Sequence, residues 1–247
     1  MNFKNIISIR RLGLHIKKEI YTKYRSGLIA IGAVTGILVV IDLLPGMLAG
    51  KPQIPNGAFY TIFILLGLFF SSRAFSEIHD EQEGLRYLTT PGSELERILT
   101  KLIVTNLIYI ILGVIYFYLV TFLLKGMNLF FFDVAGGEYS FQRDVIKNYF
   151  VLHSVFFFGS VYFKSYQTIK LLFSGFVIFI ILTIYSVINT RIIFGSLHLN
   201  GLKGGLSFGK YPEYFQGIYD TLSFIFRWVL VPYFWSLTYL RLKEQEV

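Results

Sequence analysis

The chain has 247 residues, 54% of them hydrophobic and 18% aromatic, with a mean hydropathy of +0.59. A soluble domain of this length has no surface on which to place so much apolar side chain, which excludes a water-soluble enzyme or binding module. The net charge is +8 and there is no cysteine; disulfides and thiolate metal sites are excluded, and anionic lipid headgroups account for the charge without a nucleic-acid partner.

The first 25 residues have their own pattern. Lys4, Arg11, Lys18 and Arg25 recur every seven positions, with Arg10 and Lys17 beside them, while Ile6, Ile9, Ile16 and Ile20 mark another helical face. This predicts an amphipathic helix over residues 1–25 lying in the cytoplasmic headgroup layer, each cation worth ~1 kcal/mol near anionic lipid. No cleavable signal is predicted, because the apolar run that follows is long enough to remain as an anchor.

Apolar runs near or above the ~18 residues that cross a bilayer recur six times. They cover residues 27–49, 57–75, 102–124, 145–163, 171–188 and 219–240. The fourth is the weakest, since Lys147 and Asn148 sit inside its outer end. Each must be a helix, because open sheet edges cannot satisfy their backbone groups in lipid. The predicted fold is a single all-α integral membrane domain spanning residues 1–247, a six-transmembrane-helix bundle. Of 23 Lys and Arg residues, fifteen fall on the side of the N-terminus and seven on the other, with Arg227 inside the sixth run. The positive-inside rule then places both termini in the cytoplasm.

Connections differ in size on the outer side. Residues 46–56 are short and hold Pro52 and Pro55, whereas 126–144 open with the apolar stretch Leu129-Phe-Phe-Phe132 before Gly136 and Gly137. Residues 190–218 form the longest connection and are rich in Gly; a loop of that length usually has a function.

On the inner side, residues 73–101 form a charged block between the second and third runs. Pro91 and Gly92 break the chain, and Ser93 with Glu96 three residues later fits a capping box, in which hydroxyl and carboxylate each satisfy a free backbone donor. From Ser93 a helix running to Leu124 is ~48 Å long, against a hydrocarbon layer of ~30 Å. Its first two turns therefore protrude and continue rigidly into the third span. Before Pro91, Phe75, Ile78, Leu85, Tyr87 and Leu88 interrupt the charges at a spacing that suits a short helix and turn presented to a partner groove.

The run from Ala74 to Lys101 resembles the connection between the second and third spans of ABC-2-type transporter permeases. Small bacterial permeases of that family carry a Tyr-Leu-Thr-x-Pro-x-Ser-x-x-Glu segment, matched here by Tyr87, Leu88, Thr89, Pro91, Ser93 and Glu96. Thr90 and Gly92 stand where the family pattern has Leu and Ala. The resemblance extends to the basic N-terminal helix, the six spans and the wide outer loop before the sixth. It implies a half-transporter in the bacterial cytoplasmic (inner) membrane, paired with a second permease subunit and with cytoplasmic ATPase subunits that carry ATP and magnesium. Residues 73–101 would then hold the cytoplasmic coupling helix, with Glu77, Ile78, Glu81, Leu85, Tyr87 and Leu88 docking on the ATPase. The expected cargo is amphipathic or lipid-like, a peptide or an antibiotic, moved outward.

The chain offers no nucleotide site of its own. Gly204-Gly-Leu-Ser-Phe-Gly209-Lys210-Tyr211 fits phosphate-loop spacing until its last position, where Tyr211 cannot replace the Ser or Thr that holds magnesium. His15, His79, His153 and His198 are scattered with no metal-ligand spacing, so no cofactor or metal is expected. Asp42 near the outer end of the first span and Arg227 about two turns into the sixth lie at similar depth. A lone charge at a span centre costs ~3 kcal/mol, so an intramembrane ion pair between them is a candidate. Gly32 and Gly36 form a small-xxx-small face for close approach of another helix. A membrane-embedded enzyme would need convergent His, Glu or Asp at membrane depth, and an ion-coupled secondary transporter broken helices with midplane ionisable residues; these are the alternatives to the ATP-driven permease.

Overall fold

The computed structural model describes residues 8–49, 56–80, 84, 92–133, 141–164, 166–194, 221 and 224–245. Six α-helices account for most of them: α1 (Ile9–Ala49), α2 (Asn56–Ser72), α3 (Glu94–Phe132), α4 (Arg143–Tyr162), α5 (Gln167–Phe194) and α6 (Leu230–Gln245). No strand occurs among the described residues. The protein is all-α. Three helices are long and apolar enough to cross a membrane, in α1, α3 and α5, while α2 is apolar but shorter at 17 residues.

Side-chain pairs fix the direction of each helix. Arg11 meets Glu96, Glu19 meets Lys101, Thr35 meets Tyr116 and Asp42 meets Asn128, so α1 and α3 run parallel. Between them α2 runs the other way, with Phe63 stacked on Tyr109 at 5.0 Å and Phe59 edge-on to Phe117 at 4.8 Å. Helices α4 and α6 run parallel, through Phe158 against Phe234 and Tyr162 under Arg241, with α5 antiparallel to α4 through Gln167 and the Ser160 carbonyl. Successive helices therefore alternate in direction.

Three buried clusters hold the bundle, the smallest of them Leu68, Phe156 and Leu171. One joins α1, α2, α3 and α4 through Val34, Leu38, Phe59, Phe63, Phe117 and Tyr149. Its ring pairs each add ~1 kcal/mol beyond simple burial. Gly67 allows a close approach, because a Cβ there would strike the rings of Tyr149 and Tyr109. The second core, at the end carrying both Ser76 and Leu242, gathers Ala74, Phe75, Ile98, Phe157, Val161 and Leu242.

Over its described part, residues 9–25, the expected surface helix is not a separate element. From Ile9 onward the basic segment is the first half of α1, 41 residues without a break and ~62 Å long. An unbroken helix does not turn the right angle that an in-plane helix followed by a spanning one requires. No helix breaker separates the two halves, and α3 supplies partners for the polar side chains of the first. The third helix likewise passes its expected end. Residues 129–132, read as the start of an outer loop, complete α3 at Phe132, and Asp133 closes it in the left-handed region at φ 55°. The expected outer loop 190–218 begins late, since α5 continues to Phe194; residues 195–218, including Gly204 to Tyr211, lie outside the described ones.

Helix α3 is interrupted once, by a π-helical turn at Ile103–Ile108. Such a turn frees backbone groups, and here the Thr105 carbonyl accepts a 2.6 Å bond from the Tyr149 hydroxyl. The Thr105 hydroxyl also lies 2.8 Å from His153 Nε2. A second π-turn, Ile225–Val229, precedes α6.

Candidate functional site

The richest polar constellation lies where α1, the start of α3 and a 3₁₀ turn (Ser76–His79) meet. Ser93 has extended backbone (φ −76°, ψ 153°) and caps α3: the Glu96 N–H donates to Ser93 Oγ at 3.2 Å, and the Ser93 N–H donates to Glu96 Oε2 at 3.0 Å. This is the reciprocal capping box. The other oxygen of the same carboxylate reaches across to α1. Glu96 Oε1 accepts from the Ser8 N–H at 2.6 Å and lies 3.1 Å from Arg11 Nη2. Burial of Glu96 pushes its carboxyl up, but the two backbone donors and the Arg11 charge outweigh this and hold it below the usual range. One fully buried carboxylate thus caps one helix and fastens the start of another. Gly92 fits this junction closely, since a Cβ there would lie 2.9 Å from His15 Nε2.

Two turns further along, charges alternate in a chain. Lys23 Nζ lies 2.6 Å from Glu19 Oε1, Lys101 Nζ lies 2.8 Å from Glu19 Oε2, and the same ammonium lies 3.0 Å from Glu77 Oε1. Lys101 and Glu19 are buried, so each needs the other; an unpaired charge there would be strongly destabilising. The chain ties three segments together: α1 through Glu19, α3 through Lys101 and the 3₁₀ turn through Glu77.

The expected docking set divides. Glu77 and Ile78 are described, and both are used within the chain: Glu77 pairs with Lys101, and Ile78 packs against the second core. Phe75, expected to face a partner, is fully buried. The reason is geometric. α2 ends at Ser72, which leaves residues 73–79 folded back under the bundle, where an apolar side chain has more to bury against than in solvent. Glu81, Leu85, Tyr87 and Leu88 lie outside the described residues.

Of the candidate intramembrane pair, only the Asp42 side chain is described. Asp42 is fully buried and its Oδ2 accepts from Asn128 Nδ2 at 2.8 Å. Arg227 lies in the second π-turn, and its side chain is outside the described residues. Gly32 and Gly36 have nothing within 4 Å of where a Cβ would sit, so among the described residues no helix of this chain uses that face. His153 is enclosed, with its Nε2 on Thr105. Among the described residues no group of three or more His, Cys, Asp or Glu could hold a metal ion.

Sequence reasoning missed Glu19, Lys101, Arg11 and Asn128 as partners. A signal existed for one: Glu19 is the lone acid in the first 41 residues, amid a run of cations. Nothing local marks Lys101 or Asn128, because their importance comes from the neighbour that a parallel helix brings. An apolar cleft of ≈ 200 Å³ between α1, α2 and α3, lined among others by Gly27, Ile31, Phe63, Phe70 and Tyr109, was not foreseen either.

Comparison of the chain with protein-family models, with curated proteins and with solved structures finds no match.

Proposed function

We propose that this chain is the membrane subunit of an ATP-driven transporter of the ABC-2 type, a six-span permease with both termini in the cytoplasm of a bacterial cell. It pairs with a second permease subunit and is driven by separate cytoplasmic ATPase subunits that bind ATP and magnesium. The cargo is an amphipathic, lipid-like, peptide or antibiotic molecule carried outward. The observation that carries this reading is the charge chain Lys23–Glu19–Lys101–Glu77, which couples the segment after α2 to two helices long enough to cross the bilayer and protrude. A helix set of that length, stiffened at its inner end by buried ion pairs, suits the transmission of a push. The Gly32/Gly36 face suits a second subunit, and the apolar cleft suits an apolar cargo group.

In this reading ATP binding closes the ATPases against residues 77–88. The 3₁₀ turn moves, Lys101 carries the displacement to α3, and Glu19 carries it to α1. The first and third spans then tilt together, and the subunit interface opens outward.

The test is purification of the tagged full-length chain from its own membranes under mild detergent. A co-purifying nucleotide hydrolase, whose turnover rises with cargo, is expected. A chain recovered with no hydrolase and no ATP turnover would sink the proposal. Buried Asp42 favours the second reading, an ion-coupled secondary transporter; transport that follows an imposed ion gradient in ATP-free vesicles would establish that reading instead.

A further inference from the structure

The end of α2, the 3₁₀ turn and the start of α5 line a second cleft of ≈ 460 Å³. Two cations line it, Arg73 and Lys164, and neither has a carboxylate within ion-pair distance among the described residues. Asp80 stands in the same wall. The walls are fixed by buried polar bonds. Ser72 Oγ and Thr168 Oγ1 lie 2.6 Å apart, and Gln167 Nε2 donates to the Ser160 carbonyl at 3.0 Å. Arg73 is held over the ring of Phe69, 4.9 Å from its centroid, which keeps the guanidinium at the cleft.

The cleft continues directly into an apolar ridge. Phe69 and Ile169 line it, and one turn further into the bundle Leu65 and Phe173 carry the same two faces onward. These side chains are 41%, 65%, 55% and 67% exposed respectively, so a large part of each is left uncovered by the described residues. Cations at the level where α2 ends, with exposed hydrocarbon immediately beside them, complement a molecule with an anionic head and apolar tails.

We propose that this cleft binds the phosphate of an anionic membrane lipid, with the acyl chains lying along Leu65, Phe69, Ile169 and Phe173. Arg73 and Lys164 neutralise the phosphate. The proposal rests on the functional reading above only for the choice of the inner leaflet. Because Ser76 and His79 belong to the turn that carries Glu77, lipid occupancy bears on the same junction that couples α1 and α3.

The test uses the full-length chain in detergent micelles, with native mass spectrometry counting retained phosphatidylglycerol against phosphatidylcholine. Preferential retention of phosphatidylglycerol is expected. Arg73→Gln with Lys164→Gln should lower its apparent affinity about 25-fold, at about fivefold per cation, and Arg73→Lys with Lys164→Arg should restore it. Arg143→Gln with Lys147→Gln removes the same charge at the far end of α4 and should leave retention unchanged. An equal loss in both glutamine pairs would overturn the site, as would equal retention of the two lipids. If glycerol phosphate alone competes as well as the lipid, the ligand is a free phosphate ester and the lipid assignment fails. As a measurement free of the charge variants, Tyr166→Trp places a fluorophore at the cleft. Phosphatidylglycerol with brominated chains should quench its emission, and absence of quenching counts against the proposal. None of these readouts depends on an ATPase, so this inference and the functional reading fail separately.

Discussion

Lys101 Nζ lies 2.8 Å from Glu19 Oε2 and 3.0 Å from Glu77 Oε1, so one buried ammonium holds together three segments separated by up to 82 positions in the chain. Its neighbours are acids on both sides, and removing it leaves two carboxylates facing each other in a poorly solvated place.

Lys101→Met should therefore destabilise the protein by about 3 kcal/mol, the lower end for breaking a buried pair. Glu19→Gln combined with Lys101→Met should recover part of that loss, because the stranded charge is gone. Thermal unfolding in detergent, followed by helical circular dichroism, reads both. Arg11→Ala, at the half-exposed end of its pair with Glu96, should cost less than about 1 kcal/mol.

Ser93→Ala removes one half of the capping box and should cost about 1 kcal/mol. Glu96→Ala should cost more, since it deletes the other half of the cap together with the acceptor for Ser8 and Arg11. Equal losses for the two variants would mean that the carboxylate works only as a cap. Protease sensitivity near Ser8 separates the cases, rising for Glu96→Ala and not for Ser93→Ala.

Gly67→Ala and Gly32→Ala should differ sharply. The first puts a methyl group into the Tyr149 and Tyr109 rings and should cost about 1–3 kcal/mol. The second meets open space within this chain and should leave its unfolding unchanged. If a second permease subunit packs on that face, Gly32→Leu should weaken subunit association while sparing the helical signal, as measured by size-exclusion light scattering.

His79 sits below its usual range, because burial disfavours the imidazolium and the nearby Lys164 charge adds to this, against backbone acceptors at Ser160 and Val161. A histidine with a lowered folded pKa binds more protons when unfolded. Its contribution to stability is present above its ordinary value of about 6.5 and is lost as pH falls below that. The wild-type midpoint should drop between pH 7 and pH 5 by more than that of His79→Gln. Parallel curves for the two proteins would remove His79 from the account.

Asn128→Leu should destabilise by about 1–3 kcal/mol, since the fully buried Asp42 then loses its described donor. Asp42→Asn keeps the shape and should be milder. Charge reversal at both Asp42 and Arg227, with rescue of either single reversal, remains the test of a pair between those two.

Hydropathy and helix signals alone were enough to locate most helices. The apolar runs 27–49, 102–124 and 171–188 each fall inside a longer observed helix, because burial of twenty consecutive backbone groups in hydrocarbon leaves helix as the only local solution. Ser93 and Glu96 are three residues apart, so their geometry was also local and legible. Tertiary structure decided the rest. Whether residues 9–25 lie flat or continue into the first span depends on Glu96 and Lys101, which belong to another helix. Whether Phe75 and Ile78 face outward depends on a core that includes Phe157 and Leu242. Asp42 meets Asn128 because α1 and α3 run side by side in the same direction. Periodicity along one helix says which side chains share a face, but only the packing of a second helix says what that face meets.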